Sequence, residues 1–182
     1  MRESVDGRWP AESERDASRA AAFQTLADQH IHEAYKLANA VLGSPPAAQD
    51  AVHDAFVKAW ERWSSLRDPA RFDSWFKRIL INTCRDRLRA AKHRDAADVD
   101  DQADLGAPDT LRDIDERIYV EQALVRLKPD DRILLALRYY QDLKLDDIAE
   151  LLDIPTGTVK SRLNAAHGRL RSVLGDSEGA SR

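Results

Sequence analysis

The 182-residue chain contains one cysteine, Cys84, and only seven glycines and seven prolines. A single cysteine excludes an internal disulfide and any zinc site built on several cysteines, and it is consistent with a reducing compartment. No apolar run approaches the length of a membrane span, and the charged N-terminus does not resemble a signal peptide. We therefore expect a cytoplasmic protein with no membrane insertion.

The chain also lacks the motifs that carry enzyme chemistry. It has no Gly-rich phosphate loop and no nucleophile motif. Its one histidine cluster, His30-Ile-His32-Glu33, places the two imidazoles on different faces of a helix, and a pairing of His30 with Glu33 would supply too few ligands for a metal. We predict no catalytic residues, no metal site and no cofactor.

Charge is distributed unevenly along the sequence. Residues 95–116 contain nine acids and one arginine, a net −8 that leaves +4 on the rest of a chain whose total is −4. Residues 66–94 hold nine Lys or Arg against three Asp, and residues 156–171 hold four basic residues and no acid, whereas residues 142–153 hold five acids and one Lys. This pattern predicts two polyanion-binding segments separated by a solvated spacer.

Apolar residues recur at helical spacing along most of the chain, and no segment alternates like a strand for long. The sequence predicts an all-α fold of two small helical domains joined by a flexible acidic linker, the second domain with a helix-turn-helix. The predicted bounds are a disordered tail at 1–18, a first domain at 19–94, the linker at 95–112, a second domain at 113–174 and a tail at 175–182.

Within the first domain, helices are predicted over about 17–42, 47–63 and 72–92. Gly43 and the Pro45-Pro46 pair end the first of them. The apolar positions expected in the core are Phe23, Leu26, Ile31, Tyr35, Leu37, Ala38 and Val41, then Val52, Phe56, Ala59 and Trp60, then Trp75, Phe76, Ile79, Leu80, Thr83 and Leu88. In the second domain, helices are predicted over 114–127 and 130–140.

The segment 145–163 has the pattern of a helix-turn-helix. Asp153 falls where the turn favours a left-handed residue, Pro155 stops the first helix, and Thr156 is placed to cap the second. Val159, Leu163, Ala166, Leu170 and Val173 form its buried face, which leaves Lys160, Ser161, Asn164, His167 and Arg171 outward. Such a helix can enter the major groove of DNA. The alternative is an ordinary amphipathic helix with a solvated basic face.

Three passages together resemble the extracytoplasmic-function (ECF) group of bacterial sigma factors. Residues 49–60, Gln-Asp-Ala-Val-His-Asp-Ala-Phe-Val-Lys-Ala-Trp, look like part of that family's region 2. Residues 72–89, Phe-Asp-Ser-Trp-Phe-Lys-Arg-Ile-Leu-Ile-Asn-Thr-Cys-Arg-Asp-Arg-Leu-Arg, look like that family's Trp-x-x-x-Ile-x-x-Asn-x-x-x-Asp-x-x-Arg pattern. Residues 154–163, Ile-Pro-Thr-Gly-Thr-Val-Lys-Ser-Arg-Leu, are similar to the region 4 recognition helix.

The resemblance implies partners and site residues. It implies core RNA polymerase, promoter DNA and an anti-sigma factor as partners. Asp50, His53, Asp54 and Lys58 would lie on the helix that docks onto the polymerase clamp. The minus-ten element would be read by the loop at 64–71, including Arg71, and by Asn82, Arg85, Asp86 and Arg89, with Trp63 as a stacking platform and Trp75 and Phe76 more expected in the core. The minus-thirty-five element would meet Thr156, Thr158, Lys160, Ser161, Arg162, Asn164 and His167.

The chain departs from the family pattern at a few positions. His53 stands where Gln is usual, and Ala165, His167 and Gly168 stand where Arg is frequent. Two other functions fit parts of the sequence. A sigma-like decoy would sequester an anti-sigma factor without binding DNA, but it needs no acid-free recognition helix. A simple helix-turn-helix repressor or activator would leave the first domain unexplained.

Overall fold

The computed structural model describes residues 9–97 and 123–179, and within these ranges every regular element is helical. The predicted all-α class with two helical regions is therefore confirmed. Most of the predicted linker, and the predicted helix up to residue 122, lie outside the described residues.

The first region is a bundle of three helices, α1 (Trp9–Leu42), α2 (Pro45–Glu61) and α3 (Phe72–Ala97). Gly43 ends α1 in the left-handed conformation, with φ of 68°, and its N–H donates to the Asn39 carbonyl at 2.8 Å. Ser44 then caps α2, because its hydroxyl accepts from the Ala47 amide. Short 3-10 turns at Trp63–Ser65 and Pro69–Arg71 carry the chain into α3.

Two helices of this region extend further than the sequence predicted. The structure continues α1 back to Trp9, into the predicted disordered tail, and continues α3 to Ala97, into the predicted linker. The added N-terminal turns are rich in alanine and charged residues, which favour helix, and Pro10 stands in the first turn, where proline is tolerated. Hydrophobic periodicity did not predict these additional turns because they contain few apolar residues to define a helix face.

The second region begins with a helical end at residues 123–125 and continues with α4 (Pro129–Tyr139), α5 (Leu145–Leu152) and α6 (Thr156–Gly179). The break at Lys128 falls as predicted, with Pro129 in the first turn of α4. Asp131 fixes α4 against α6, because its two carboxylate oxygens accept from Arg169 Nε and Nη2 at 2.6 and 2.8 Å. That contact raises the pKa of the Arg169 guanidinium.

The buried residues of both regions form one continuous apolar core. Arg132, only 8% exposed, lies where they meet: its Nη1 donates to the Val41 carbonyl and its Nε to the Leu127 carbonyl, both at 3.0 Å. Burial lowers the pKa of this guanidinium. Nearby, a Cβ added to Gly43 would come within 2.2 Å of Val125 Cγ2, so the two regions are in close contact at the end of α1.

Most predicted core residues are buried or half-buried, but two are not. Ile31 is 50% exposed and Trp60 is 41% exposed, so their assignment to the core is wrong. Ile31 borders an open groove between α1 and α2, and Trp60 is contacted on one side by Phe23 and Arg19 of α1. Each helix carries a wider apolar stripe than its neighbours can bury.

Candidate nucleic-acid interface

The turn between α5 and α6 has the left-handed Asp153 that the sequence predicted, but the prediction of Thr156 as the cap of α6 is wrong, because Thr156 is the first residue of the helix and its hydroxyl is a donor to α5. Asp153 adopts the left-handed conformation with φ of 55°, and the Ile154 N–H donates to the Ala149 carbonyl at 3.1 Å. Thr156 Oγ1 donates to Asp146 Oδ1 at 2.9 Å, so this hydroxyl ties α6 to the start of α5. These contacts fix the angle at which α6 leaves the turn.

The two faces of α6 differ sharply. Val159, Leu163 and Ala166 are buried against the core. The opposite face exposes four of the predicted contact residues: Lys160, Ser161, Arg162 and Asn164. Within the described residues, Lys160 and Arg162 take part in no salt bridge, and no acid lies on this face between Thr156 and Arg171. The exposed surface is therefore a cationic strip with polar side chains at its centre, as direct contact with DNA requires.

Three other residues that were predicted to contact DNA are less exposed or are held by neighbouring side chains. Thr156 and Thr158 are half-buried at the start of α6, and the Thr158 carbonyl accepts from the Ser161 hydroxyl at 3.0 Å. His167 is held to the side by Tyr139, whose hydroxyl lies 2.7 Å from His167 Nε2. The exposed strip of Lys160, Ser161, Arg162 and Asn164, rather than the first turn or His167, is the most accessible part of the helix.

The residues of α3 that were predicted to read the minus-ten element lie on one side of the helix, but some of them already pair with other side chains. Asn82 is exposed. Asp86 pairs with Arg89 at 3.4 Å, and Arg85 Nε lies 3.4 Å from Asp130 Oδ1 at the start of α4. Arg85 is therefore partly covered, because the second region packs against this side of α3, and its contact with the minus-ten element stays a prediction.

Aromatic residues cluster where α1, α2 and α3 meet. The ring centroid of Phe23 is 5.4 Å from that of Trp63 and 6.1 Å from that of Phe72. Trp63, the predicted stacking platform, is half-buried in this cluster, so only part of its ring can receive a base. Phe76 is in the core, as expected. Trp60 is a more open platform that the sequence reasoning missed, and the Arg19 guanidinium lies 5.4 Å above its ring.

Arg71 lies in a cleft between the two regions. The cleft encloses about 350 Å³ and its lining includes Arg71, Trp75, Arg78, Asp147 and Glu150. Basic side chains of the first region thus face acidic side chains of α5 across it. Sequence reasoning did not anticipate this arrangement, because only the packing of the two regions creates it.

The predicted polymerase-binding residues differ in exposure. Asp50 and His53 are the exposed pair on α2, although Asp50 Oδ2 also lies 3.5 Å from Arg87 Nη1 on α3. Asp54 and Lys58 are half-buried beside α3: Arg87 Nη2 donates to Asp54 Oδ2 at 2.5 Å, and Lys58 Nζ donates to Thr83 Oγ1 at 3.2 Å. Asp54 and Lys58 are thus held against α3, although the Asp54 side chain is still 46% exposed, and their contact with polymerase stays a prediction.

An apolar groove adjoins the exposed pair. It lies between α1 and α2 and is lined by Ile31, His32, Tyr35, Gln49, Val52, His53 and Phe56. Exposed Val57 and Trp60 extend the apolar surface along α2. An apolar groove with exposed apolar side chains on the same helix is a candidate interaction surface. In the sequence, this groove was indicated by a band of apolar residues on each helix that is wider than the core can bury.

Cys84 has no place in this surface. It is buried in α3, and loss of solvation raises the pKa of its thiol to about 12. A thiol that stays protonated is a poor nucleophile and a poor target for oxidation. This environment argues against a redox role.

In the parts of the chain that the structure describes, no helix combines the length and the apolar character that a membrane span needs. No group of three or more His, Cys, Asp or Glu side chains in those parts is placed to hold a metal ion.

The helix-turn-helix and the packed three-helix region define a two-part helical protein with a DNA-binding module. Comparison with known proteins agrees: the family model for Sigma-70 region 2 matches residues 26–94, and that for Sigma-70 region 4 matches residues 117–170. The ECF RNA polymerase sigma factor SigM of Mycobacterium tuberculosis is 34% identical over 154 residues, covering 85% of this chain and 78% of SigM. SigW of Bacillus subtilis is 29% identical over 168 residues, covering 85% of this chain and 90% of SigW. The chain belongs to the ECF RNA polymerase sigma factors.

Solved structures share the fold. The sigma factor RpoE from Bartonella quintana, in complex with the anti-sigma factor NepR, has a TM-score of 0.65 and 24% sequence identity, covering 84% of this chain and 96% of that one. CnrH, in complex with the cytosolic domain of CnrY, has a TM-score of 0.61 and 23% identity, covering 87% of this chain and 95% of that one.

Proposed function

We propose that the protein binds core RNA polymerase and directs promoter-specific initiation by recognising minus-ten and minus-thirty-five elements. The observation that carries the proposal is the exposed, acid-free strip on α6. Within a chain of net charge −4, a helix in helix-turn-helix geometry presents unpaired cations and polar side chains to solvent. The protein acts by positioning polymerase and DNA, with no catalytic residue of its own.

In this proposal, α6 enters the major groove of the minus-thirty-five element. Lys160, Ser161 and Asn164 lie one to two turns in from Thr156, where the side chains of a docked helix reach base edges. Arg162 projects from the flank of the same strip and suits a phosphate. The amide in the Asn164 side chain can pair with adenine through two hydrogen bonds.

The minus-ten strand would lie along α3 and the preceding turns. Asn82, Arg85 and Arg89 supply polar and cationic contacts, while Trp63 and Trp60 supply ring faces near the same end of the bundle. Single-stranded DNA binds to such a combination, because cations neutralise its phosphates and unpaired bases stack on rings.

The polymerase would dock on α2 through Asp50, His53 and the apolar groove beside them. Charged side chains around an apolar centre are the usual arrangement of a protein interface. We expect Asp50→Ala combined with His53→Ala to weaken binding to core polymerase while leaving thermal unfolding nearly unchanged, since both side chains are exposed. The matched control is Asp28→Ala, which removes an exposed charge from α1. Equal binding by the double variant and the control would show that this part of α2 is only solvated surface.

We also propose an anti-sigma factor as a regulatory partner. Support comes from the structural relative RpoE, which was solved in complex with the anti-sigma factor NepR, and from the groove between α1 and α2, which leaves Ile31 half-exposed. A bound inhibitor that covers the groove would compete with the polymerase for the same face.

Run-off transcription tests the proposal directly. Core polymerase supplemented with the protein should produce discrete transcripts from a genomic promoter library, and these should disappear when Lys160 and Asn164 are both replaced by alanine. Control reactions contain core polymerase alone. If the protein binds core polymerase or an anti-sigma factor but yields no specific transcript, the decoy function replaces the proposed one.

A further inference from the structure

The last residue of α4 contacts the recognition helix at its edge. Tyr139 is 61% exposed, and its hydroxyl oxygen lies 2.7 Å from Nε2 of His167 on α6. The two rings are tilted against each other, with their centroids 5.5 Å apart. Because most of the tyrosine remains open to solvent, burial in the core does not account for the position of its ring.

His167 lies beside residues that are proposed to bind DNA. One line along α6 carries Lys160, Asn164, His167 and Arg171. Their spacing of three or four residues keeps side chains on one side of a helix. His167 is half-buried on this line, and it contacts α4 through Tyr139. The pair of side chains therefore borders the exposed strip, where a docked recognition helix reaches phosphates rather than base edges.

The positive charge at this border depends on His167. Positions 165 and 168 beside it hold Ala and Gly, which carry no charge. An imidazole changes its charge between about pH 5 and 8, whereas Lys160 and Arg171 stay cationic over that range. The border of the strip therefore gains a cation when His167 is protonated.

The charged groups on the two helices that pack against α6 are bound elsewhere. Those of α4 are paired: Asp131 with Arg169, and Arg138 with Asp142. The acids of α5 lie away from the pair: Asp146 accepts from Thr156 at the start of α6, Asp147 accepts from the Lys144 amide, and Glu150 lines the cleft toward α3. These acids are therefore not placed to neutralise a charge on His167.

Protonation of His167 also changes what the Tyr139 hydroxyl can donate to. In a neutral imidazole, Nε2 can accept the hydroxyl proton, which leaves the hydroxyl with no proton for another group. In an imidazolium both ring nitrogens carry protons, so Nε2 donates to the tyrosine oxygen and the O–H is free to donate elsewhere. One proton thus adds a charge and releases a second donor, and both suit a phosphate oxygen.

We propose that Tyr139 and His167 form a proton-dependent contact for a phosphate of the DNA backbone at the edge of the recognition helix. The inference rests on the proposed binding of α6 to the minus-thirty-five element, and it adds Tyr139 to the residues that meet DNA. Affinity for duplex DNA rises as pH falls, because the phosphate binds the protonated form of His167. The gain does not depend on base sequence, since phosphate contacts carry no sequence information.

The salt dependence of duplex binding at two pH values tests the inference. The probe is a labelled mixed-sequence duplex of about 20 base pairs, titrated with the full chain and followed by fluorescence anisotropy. At about pH 5.5, His167→Gln should lower the log–log slope of affinity against salt by about 0.9, because it removes one cation from a phosphate; at about pH 8 it should leave the slope unchanged. Tyr139→Phe keeps the ring and every charge, so it should leave both slopes unchanged and weaken binding about three- to tenfold at the lower pH only.

His30→Gln is the matched control for the loss of an imidazole. His30 lies in the first region, where its Nδ1 is 3.3 Å from Asp73 Oδ1, so its removal should leave both slopes as in the parent. Two results would overturn the contact: slopes for His167→Gln equal to those of the parent at both pH values, or Tyr139→Phe binding as tightly as the parent at the lower pH.

Lys160→Ala combined with Asn164→Ala separates this failure from that of the proposed function. If the double variant loses affinity while His167→Gln and Tyr139→Phe behave as the parent, only the phosphate contact is wrong. If the parent does not bind the duplex at either pH, or the double variant binds as tightly as the parent, α6 does not bind DNA and both proposals fail.

Discussion

The close approach of Gly43 to Val125 allows a quantitative test of how the two regions pack. Gly43 has φ of +68°, and a Cβ built there would lie 2.2 Å from Val125 Cγ2. The substitution Gly43→Ala therefore meets two separate penalties. A left-handed non-glycine residue costs about 1–2 kcal/mol, and overpacking against Val125 adds about 1–3 kcal/mol.

A double-mutant cycle separates the two penalties. In a Val125→Ala background the atom that clashes is absent, so Gly43→Ala should cost only the conformational penalty of about 1–2 kcal/mol. The coupling between the two sites is then about 1–3 kcal/mol, as expected for residues in direct contact. Urea unfolding of the four proteins measures it, with slopes compared to confirm that unfolding remains two-state.

Gly168 provides the control for the glycine effect. It lies within α6, and a Cβ added there meets nothing within 4 Å. Gly168→Ala should therefore stabilise the protein by about 0.5–1 kcal/mol. If Gly43→Ala costs the same with and without the Val125 side chain, the end of α1 does not contact residue 125 in solution, and the continuous core between the regions would be refuted.

Further predictions concern the recognition helix, the bundle and the buried thiol. Arg162→Ala should weaken duplex binding about equally on all sequences and lower the log–log slope of affinity against salt by about 0.9, whereas Asn164→Ala should lose about 1–3 kcal/mol of binding free energy on the preferred minus-thirty-five sequence alone. Binding titrations on matched and scrambled duplexes distinguish the two variants. Unchanged affinity in both would show that α6 does not bind DNA. Asp54→Asn should lower stability by about 0.5–1 kcal/mol in urea unfolding, because it breaks the ion pair with Arg87; an unchanged midpoint would contradict the pairing. Because burial raises the pKa of Cys84 to about 12, alkylation by iodoacetamide at pH 8 should be slow in the folded chain and fast in denaturant; rapid alkylation of the folded chain would show that the thiol is accessible.

The helices and the turn were predictable because local rules fix them. Helical periodicity marked most of α1, α2 and α3, while Gly43 and Pro129 marked an end and a start. The left-handed Asp153 followed from its place before Ile154 and Pro155, and the exposed strip of α6 followed from the absence of acids between Thr156 and Arg171.

The sequence could not give the partners of individual charges. Asp50, Asp54 and Lys58 share a polar stripe of α2. Only the position of α3 pairs the two aspartates with Arg87 and Lys58 with Thr83. The same limit applies to Ile31, whose exposure depends on how far neighbouring helices reach along α1. Helical periodicity identifies the apolar side of a helix, but not how much of that side the neighbouring helices cover.

The sequence by itself determined the all-helical class, the helix-turn-helix and the charge of its two faces, because each depends on residues close together in the chain. The tertiary structure alone decided that the acidic α5 lies against α3 and that Arg78 donates to its terminal carbonyls. Arg78 precedes Glu150 by 72 positions and Leu151 by 73 positions in the chain, and nothing local in either segment encodes the contact. It arises because both regions bury their apolar faces in one core, which brings opposite charges at the edge of that core together.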